Sequence, residues 1–282
     1  MKLLVCIDGS AYGDNICQEA AWVSRKLNAE VVLLHVLRRH SDYQAKADDH
    51  TGAIGLGARS DLLSELTKVD EERARLDQEK GRLILEHGEK VLQKAGVKKI
   101  TTLHRRGSVV DTVRELEDDV DMVFVGKRGE HANTGSEFLG ANLEKTARAI
   151  HKPLFVVSSV VQDMQTYAIA YDGKNSIKKA LEFVTLNPLL KDMKGYLIYV
   201  GAEDDKSAQV VCDDLQQKGL DISLLQAEGD TEEVIADFVT ANKINLLIAG
   251  AYSHSRVRSM LLGSTTTALM KNCHIPLLLF RA

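Results

Sequence analysis

The segment KLLVCIDGS, Lys2–Ser10, returns as YAIAYDGKNS, Tyr167–Ser176. Each is a short apolar run ending in Asp-Gly, at Asp8-Gly9 and at Asp172-Gly173. The next apolar run, EVVLLHVL from Glu30, matches GYLIYVG from Gly195, so that Val36 falls on Val200 at the same offset of 164 residues. Self-similarity at a fixed offset marks an internal repeat. Further on the order is kept while the offset shrinks. HRRGSVVDTV matches QAEGDTEEVI (Gly107 on Gly229), DMVFVGKRG matches NLLIAGAYS (Gly126 on Gly250), and HKPLFVV matches HIPLLLF (Pro153 on Pro276). The first copy therefore carries an insertion after its second apolar run. The expected domains are 1–158 and 165–282, joined by the polar piece Val161–Thr166.

Each copy alternates short β-branched runs with helical patterns. Strands are expected near 2–7, 30–37, 99–104, 121–126 and 153–158, and helices near 13–27, 70–95, 109–118 and 141–150. That alternation predicts βαβ units on a parallel sheet with right-handed crossovers. The fold class is then α/β, with two tandem doubly wound five-stranded parallel-sheet domains. The insertion, His40–Leu66, contains TGAIGLGARS with Gly52, Gly55 and Gly57 and reads as a loop. It follows no strand directly and lacks the third glycine of a dinucleotide fingerprint. Asp70–Ala95 reads as a helix with a solvated, charged face.

Composition excludes several classes. With 282 residues, 27% charged, 44% hydrophobic and a net charge of -4, the chain is an ordinary globular one that gives no support to nucleic-acid binding. No run reaches the ~18 apolar residues of a membrane span. Asp8 interrupts the first apolar run too early for a signal-peptide core. Cys6, Cys17, Cys212 and Cys273 form no CxxC pair, and the expected location is a reducing cytoplasm.

In a doubly wound sheet, ligands bind beyond the carboxyl ends of the strands, where the strand order reverses. The loops after the first and fourth strands meet there. In the second copy the later loop reads GAYSHSRVRSMLLGSTTT from Gly250. Gly263-Ser264 opens a helix, where free N–H groups and the helix dipole suit a phosphate. A plain helix cap without a ligand is the alternative reading of these residues.

The spacing G-x2-S-x9-G-S, together with the Asp ending strand one and the LLHV second strand, resembles the universal stress protein family, twice and over nearly all of the chain. The resemblance implies the adenine-nucleotide alpha-hydrolase-like fold and binding of ATP or another adenine nucleotide, with or without Mg²⁺. In the second copy it assigns Asp172 to the adenosine, Val200 to the adenine through its backbone, Gly250 to the start of the loop, and Gly263, Ser264 and Thr265 to the triphosphate. Ser253 stands where the family has its second glycine. In the first copy Asp8, Val36, Gly126 and Gly129 match, but Gly140 comes one residue late and Ala141 replaces the hydroxyl residue. Asn142 is left as a substitute cap, and Lys127, Arg128 and His131 read either as compensating charge or as solvated loop residues. The second copy is thus the expected nucleotide site.

No GxSxG, HExxH or Walker-type motif is present, so the expectation is a binding protein, at most a weak ATPase. His40, Asp48, Asp49 and His50 match no common metal-ligand spacing and read as loop residues. His35, His104, His151 and His274 read as structural. Relatives of this family pair through their fifth strands, which here are PLFVVSS and PLLLFRA. A tandem chain makes that pairing internally, so the resemblance implies an intramolecular pseudo-dimer, with a further homodimer and a protein partner left open.

Overall fold

The computed structural model describes residues 1–10, 12–37, 56–128, 141–173, 175–202, 206–251 and 264–281. The first copy supplies β1 (Lys2–Cys6), α1 (Gly13–Leu27), β2 (Glu30–Leu37), α2 (Leu56–Lys94), β3 (Ile100–Arg106), α3 (Val109–Leu116), β4 (Met122–Gly126), α4 (Ala141–Ala149) and β5 (Leu154–Val157). The second supplies β6 (Thr166–Tyr171), α5 (Asn175–Leu186), β7 (Lys194–Val200), α6 (Ser207–Gln217), β8 (Ile222–Ala227), α7 (Thr231–Ala241), β9 (Leu246–Ala251), α8 (Ser264–Asn272) and β10 (Leu277–Arg281). All ten strands form one sheet, in the order β3-β2-β1-β4-β5-β10-β9-β6-β7-β8.

The matched glycines of the repeat have a common cause. Gly107 and Gly229 follow β3 and β8 with φ of +139° and +130°, a backbone that L side chains rarely adopt. The next residue caps a helix in both copies: Ser108 accepts from the Asp111 amide, and Asp230 from those of Glu232 and Glu233. One turn chemistry, used twice, ends a strand and starts a helix.

Every strand pairing is parallel except one, β5 with β10, which sets Val156 beside Leu277, Phe155 beside Leu278 and Leu154 beside Leu279. This antiparallel seam is the pseudo-dimer expected from the sequence. Its side chains are almost fully buried, and Phe155 stacks on Phe124 with ring centroids 4.7 Å apart. Burying each such side chain contributes about 1.5–3 kcal/mol. Alternate residues of each strand feed opposite faces: Leu3 and Val5 pack beneath α1 and α2, while Leu4 packs beneath α3 and α4. Helices cover both faces, as a parallel sheet requires.

The insertion departs from its sequence reading. Residues 56–66, expected in a loop, are the start of α2, which runs 39 residues, about 58 Å at the helical rise. The strong helix formers Ala58, Leu62, Leu63, Glu65 and Leu66 outweigh the ~1 kcal/mol cost of Gly57. Residues 40–55, with His40, Asp48, Asp49 and His50, lie outside the described residues. From Gly81 onward α2 packs on β2, β3 and α1 through the buried stripe Gly81, Leu85, Gly88 and Leu92.

Candidate functional site

Strand order reverses between β1 and β4, and again between β6 and β9. In the second copy Ala170 pairs with Ala249 and Tyr171 with Tyr199. Continuing that register brings Asp172, Val200 and Gly250 to one sheet edge. Asp172 is exposed and is followed by Gly173 at φ +70°, which turns the chain away from the edge. Val200 and Gly250 are half-buried. α8 begins at Ser264, whose side chain is exposed, and Thr265 follows half-buried. The buried Thr266 hydroxyl donates to the Gly250 carbonyl at 3.3 Å, tying the first turn of α8 to the end of β9. The first turn of α8, whose amides have no partner within the helix itself, therefore begins beside the end of β9. Ser253 and Gly263 lie outside the described residues.

In the first copy Cys6 pairs with Leu34 and Val5 with Phe124, which carries Asp8 and Val36 to the equivalent edge beside Gly126. The Asp8 carboxylate accepts from the Ser10 amide at 3.1 Å, and the Ser10 hydroxyl accepts from the Tyr12 amide at 3.3 Å. Together they shape a polar turn into α1. Gly126 has no room for a side chain: a Cβ there would lie 2.9 Å from the Arg128 carbonyl oxygen. Gly129, His131 and Gly140 lie outside the described residues, as does the Ala141 side chain.

Lys127 departs from both sequence readings. It is neither solvated nor turned into the first copy's cleft. It is buried, and its Nζ donates to the Cys273 carbonyl of the second copy.

The first copy also holds something that sequence reasoning missed. An open cleft of about 820 Å³ lies between the β1–α1 turn and the flank of α2, lined by Asp8, Ser10, Asp14, Leu76, Leu83 and His87 among others. His87 and Asp14 meet there at 2.7 Å. The inserted helix thus forms one wall of a cleft that begins at Asp8. Beneath it, Gly81 sits against His35 and His104, cross-strand neighbours with ring centroids 5.5 Å apart. His35 Nδ1 lies 2.9 Å from the Ile7 carbonyl oxygen. Burial chiefly, then His35 and Arg106, lowers the His104 pKa below its usual value. The seven-residue spacing of Gly81 and Gly88 was the available sequence signal for this footing.

The amide of His151, at the entrance to β5, donates to the Glu117 carboxylate. Among the described residues no group of three or more His, Cys, Asp or Glu side chains could hold a metal ion. Nor is any described helix long and apolar enough to cross a membrane.

The sequence profile of the universal stress protein family matches residues 1–158 and again 166–281. The chain is 32% identical over 286 residues, covering 99% of both chains, to universal stress protein Slr1230 of Synechocystis sp. (strain ATCC 27184 / PCC 6803 / Kazusa). Among solved structures it is similar to a universal stress protein from Archaeoglobus fulgidus DSM 4304, with a TM-score of 0.73 and 17% identity over 99% of this chain and 98% of that one. It also resembles a protein of unknown function, PA1789, from Pseudomonas aeruginosa PAO1, with a TM-score of 0.62 and 14% identity over 99% and 92% of the two chains. At those identities the structural likeness speaks for the fold alone.

Proposed function

The chain belongs to the universal stress protein family, and on that premise we propose that it is a cytoplasmic adenine-nucleotide-binding regulatory protein, built from the domains 1–158 and 165–282, whose nucleotide site lies in the second copy. The observation that supports this reading most is the bond from Thr266 to Gly250. It fixes the amide-rich start of α8 at the sheet edge shared by Asp172 and Val200. A phosphate chain would rest on the N–H groups of Ser264 and Thr265 and gain from the helix dipole. Asp172 would accept from the ribose hydroxyls, and the Val200 backbone would meet the adenine. Asp8, Val36 and Gly126 hold the equivalent positions in the first copy. There Ala141 stands where the family pattern has Ser or Thr, so a donor hydroxyl is missing, and Lys127 is committed elsewhere.

Efficient phosphoryl transfer uses a Mg²⁺-holding carboxylate and a group that positions water; a weak ATPase is the alternative reading, and turnover lost in Ser264→Glu would favour it.

The test is nucleotide content. Freshly purified protein is denatured and the released small molecules are separated by ion exchange, beside the variants Ser264→Glu, Asp172→Ala and Asp8→Ala. Adenine nucleotide from the parent and from Asp8→Ala, with at least a tenfold loss in the two second-copy variants, is the expected result. Loss in Asp8→Ala alone would move the site to the first copy. No nucleotide from the parent, and no binding on titration with ATP and Mg²⁺, would leave a nucleotide-independent interaction protein.

A further inference from the structure

From Glu65 to Lys80, helix α2 stands clear of the sheet, and nearly all of its residues are exposed. Single exposed apolar side chains are ordinary on any protein surface. Here they fall in a pattern. Leu66, Val69, Leu76 and Leu83 are 51%, 40%, 68% and 52% exposed. Their spacings of three, seven and seven place them on one stripe of the helix, the a/d seam of a coiled coil. Leu66 takes an a position, and Val69, Leu76 and Leu83 take successive d positions. The remaining a positions are Arg73, Lys80 and His87, and Glu65, Glu72, Glu79 and Glu86 flank them at g.

We infer that this stripe pairs with the same stripe of a second copy of the chain, as an antiparallel two-helix coiled coil. The charges choose both the occupant and the direction. Parallel pairing would oppose Arg73 to the partner's Arg73, Lys80 to the partner's Lys80, and Glu72 to the partner's Asp77. Antiparallel pairing separates the cations, and its one further like-charge approach, Asp70 beside the partner's Asp77, lies at the solvent-facing flank of the seam. Its layers set Leu66 on the partner's Leu83, Val69 on the partner's Lys80, and Arg73 on the partner's Leu76. Each long cation then lays its stem on an apolar neighbour and its head toward solvent.

The same register clusters Glu72 and Arg73 with the partner's Glu79 and the partner's Lys80, an alternating and neutral set of four charges. The two-fold axis repeats it. Arg82 already holds Glu79 and Glu86 of its own helix, which offsets the approach of one glutamate to another across the pair. Leu76 and Leu83 also line the cleft beside Asp8, so the partner helix would become part of that cleft's outer wall. The apolar edges at β5 and β10 are spent inside the chain, and the helix stripe is a separate surface.

Sedimentation velocity of the full chain across a concentration series tests this. A reversible monomer–dimer equilibrium is expected, with the dimer at twice the 31.1 kDa chain mass. Leu76→Glu lies above the packed part of α2 and is expected to weaken the dimer at least tenfold without changing the melting temperature. The direction is read by cysteine pairing. The double variant Leu66→Cys with Leu83→Cys is expected to form a covalent dimer under mild oxidation, while Leu66→Cys alone is not. The parent's Cys17, Cys212 and Cys273 are buried and Cys6 is half-buried, so background coupling is low. A parent that stays monomeric at its highest soluble concentration, or a dimer indifferent to Leu76→Glu, overturns the inference. Efficient coupling through Leu66→Cys alone overturns the antiparallel direction.

Discussion

The Lys127 ammonium, one residue past β4 in the first copy, donates to the backbone carbonyl of Cys273, one residue past α8 in the second. A cation at that point satisfies a helix-end carbonyl and complements the negative end of the helix dipole. Arg281, at the end of β10, returns the contact. Its guanidinium donates to the carbonyls of Arg148 and Ile150 at 2.8 and 3.3 Å, closing the end of α4. Each copy thus supplies the cation that finishes the last helix of the other. The first of these links begins beside Gly126 and ends on the helix whose opposite end is Ser264.

Lys127 gives the seam a pH dependence. Burial chiefly pushes its pKa down from 10.5 to about 8; Cys273 opposes the shift and Arg128 adds to it. Below pH 8 both the folded and the unfolded chain hold the proton, and the cost of the buried charge is fully present. Between pH 8 and 10.5 the unfolded chain alone keeps it, so this residue makes stability rise with pH. Denaturant titrations of the parent and Lys127→Met should diverge across that window, the parent gaining up to about 3 kcal/mol relative to the variant.

Arg281→Ala removes the reciprocal cap. The Arg148 and Ile150 carbonyls lose a charged donor, which costs about 1–3 kcal/mol. Urea unfolding should show a lower midpoint, and proteolysis within residues 158–166 should quicken as the seam loosens.

Glu19 titrates in the opposite sense. It lies on α1, 2% exposed, and neither carboxylate oxygen has a hydrogen-bond partner among the described residues. Burial raises its pKa from 4.5 to about 9. Between those values the folded chain holds a proton that the unfolded chain has released, so the contribution is complete below pH 4.5 and declines as pH rises. Glu19→Gln should flatten that decline and gain roughly 4 kcal/mol on the parent between pH 5 and pH 8, read from paired chemical denaturation curves at those two pH values.

Gly81→Ala should reverse the usual sign of its kind. In an exposed helix, glycine to alanine stabilises by up to ~1 kcal/mol. At Gly81 the new Cβ would lie 2.3 Å from His104 Nε2 and 2.9 Å from His35 Cδ2. Relieving that overlap lifts α2 from β2 and β3 and costs about 1–3 kcal/mol. A lower melting temperature, with faster amide exchange confined to α2, is the expected reading.

The legible part of this protein was local. Asp8-Gly9 against Asp172-Gly173 announced the repeat because a strand-ending turn demands the same chemistry wherever it recurs. PLFVVSS and PLLLFRA could be named as the seam because the family resemblance implies pairing through the fifth strands, and an apolar edge left open invites a partner. Lys127 and Gly81 were illegible for a common reason. The partner of Lys127 is 146 residues away in the chain. Gly81 fails to look special until two strands bring His35 and His104 beneath it. The Gly-rich insertion misled in a third way: its glycines read as loop, while the run from Ala58 to Leu66 had enough helix propensity to override one of them.

Sequence alone determined the repeat and the alternation of strand and helix, and the resemblance to the family implied the pairing of the halves through their last strands. Short-range periodicity and turn chemistry are written in consecutive residues. Tertiary structure decided where charge and space are spent. It sent Lys127 across the seam instead of into a cleft, stood α2 against the β1–α1 turn to make a cavity beside Asp8, and pinned the start of α8 to Gly250. Those outcomes depend on distances between residues far apart in the chain, and only packing the sheet and its helices together sets such distances.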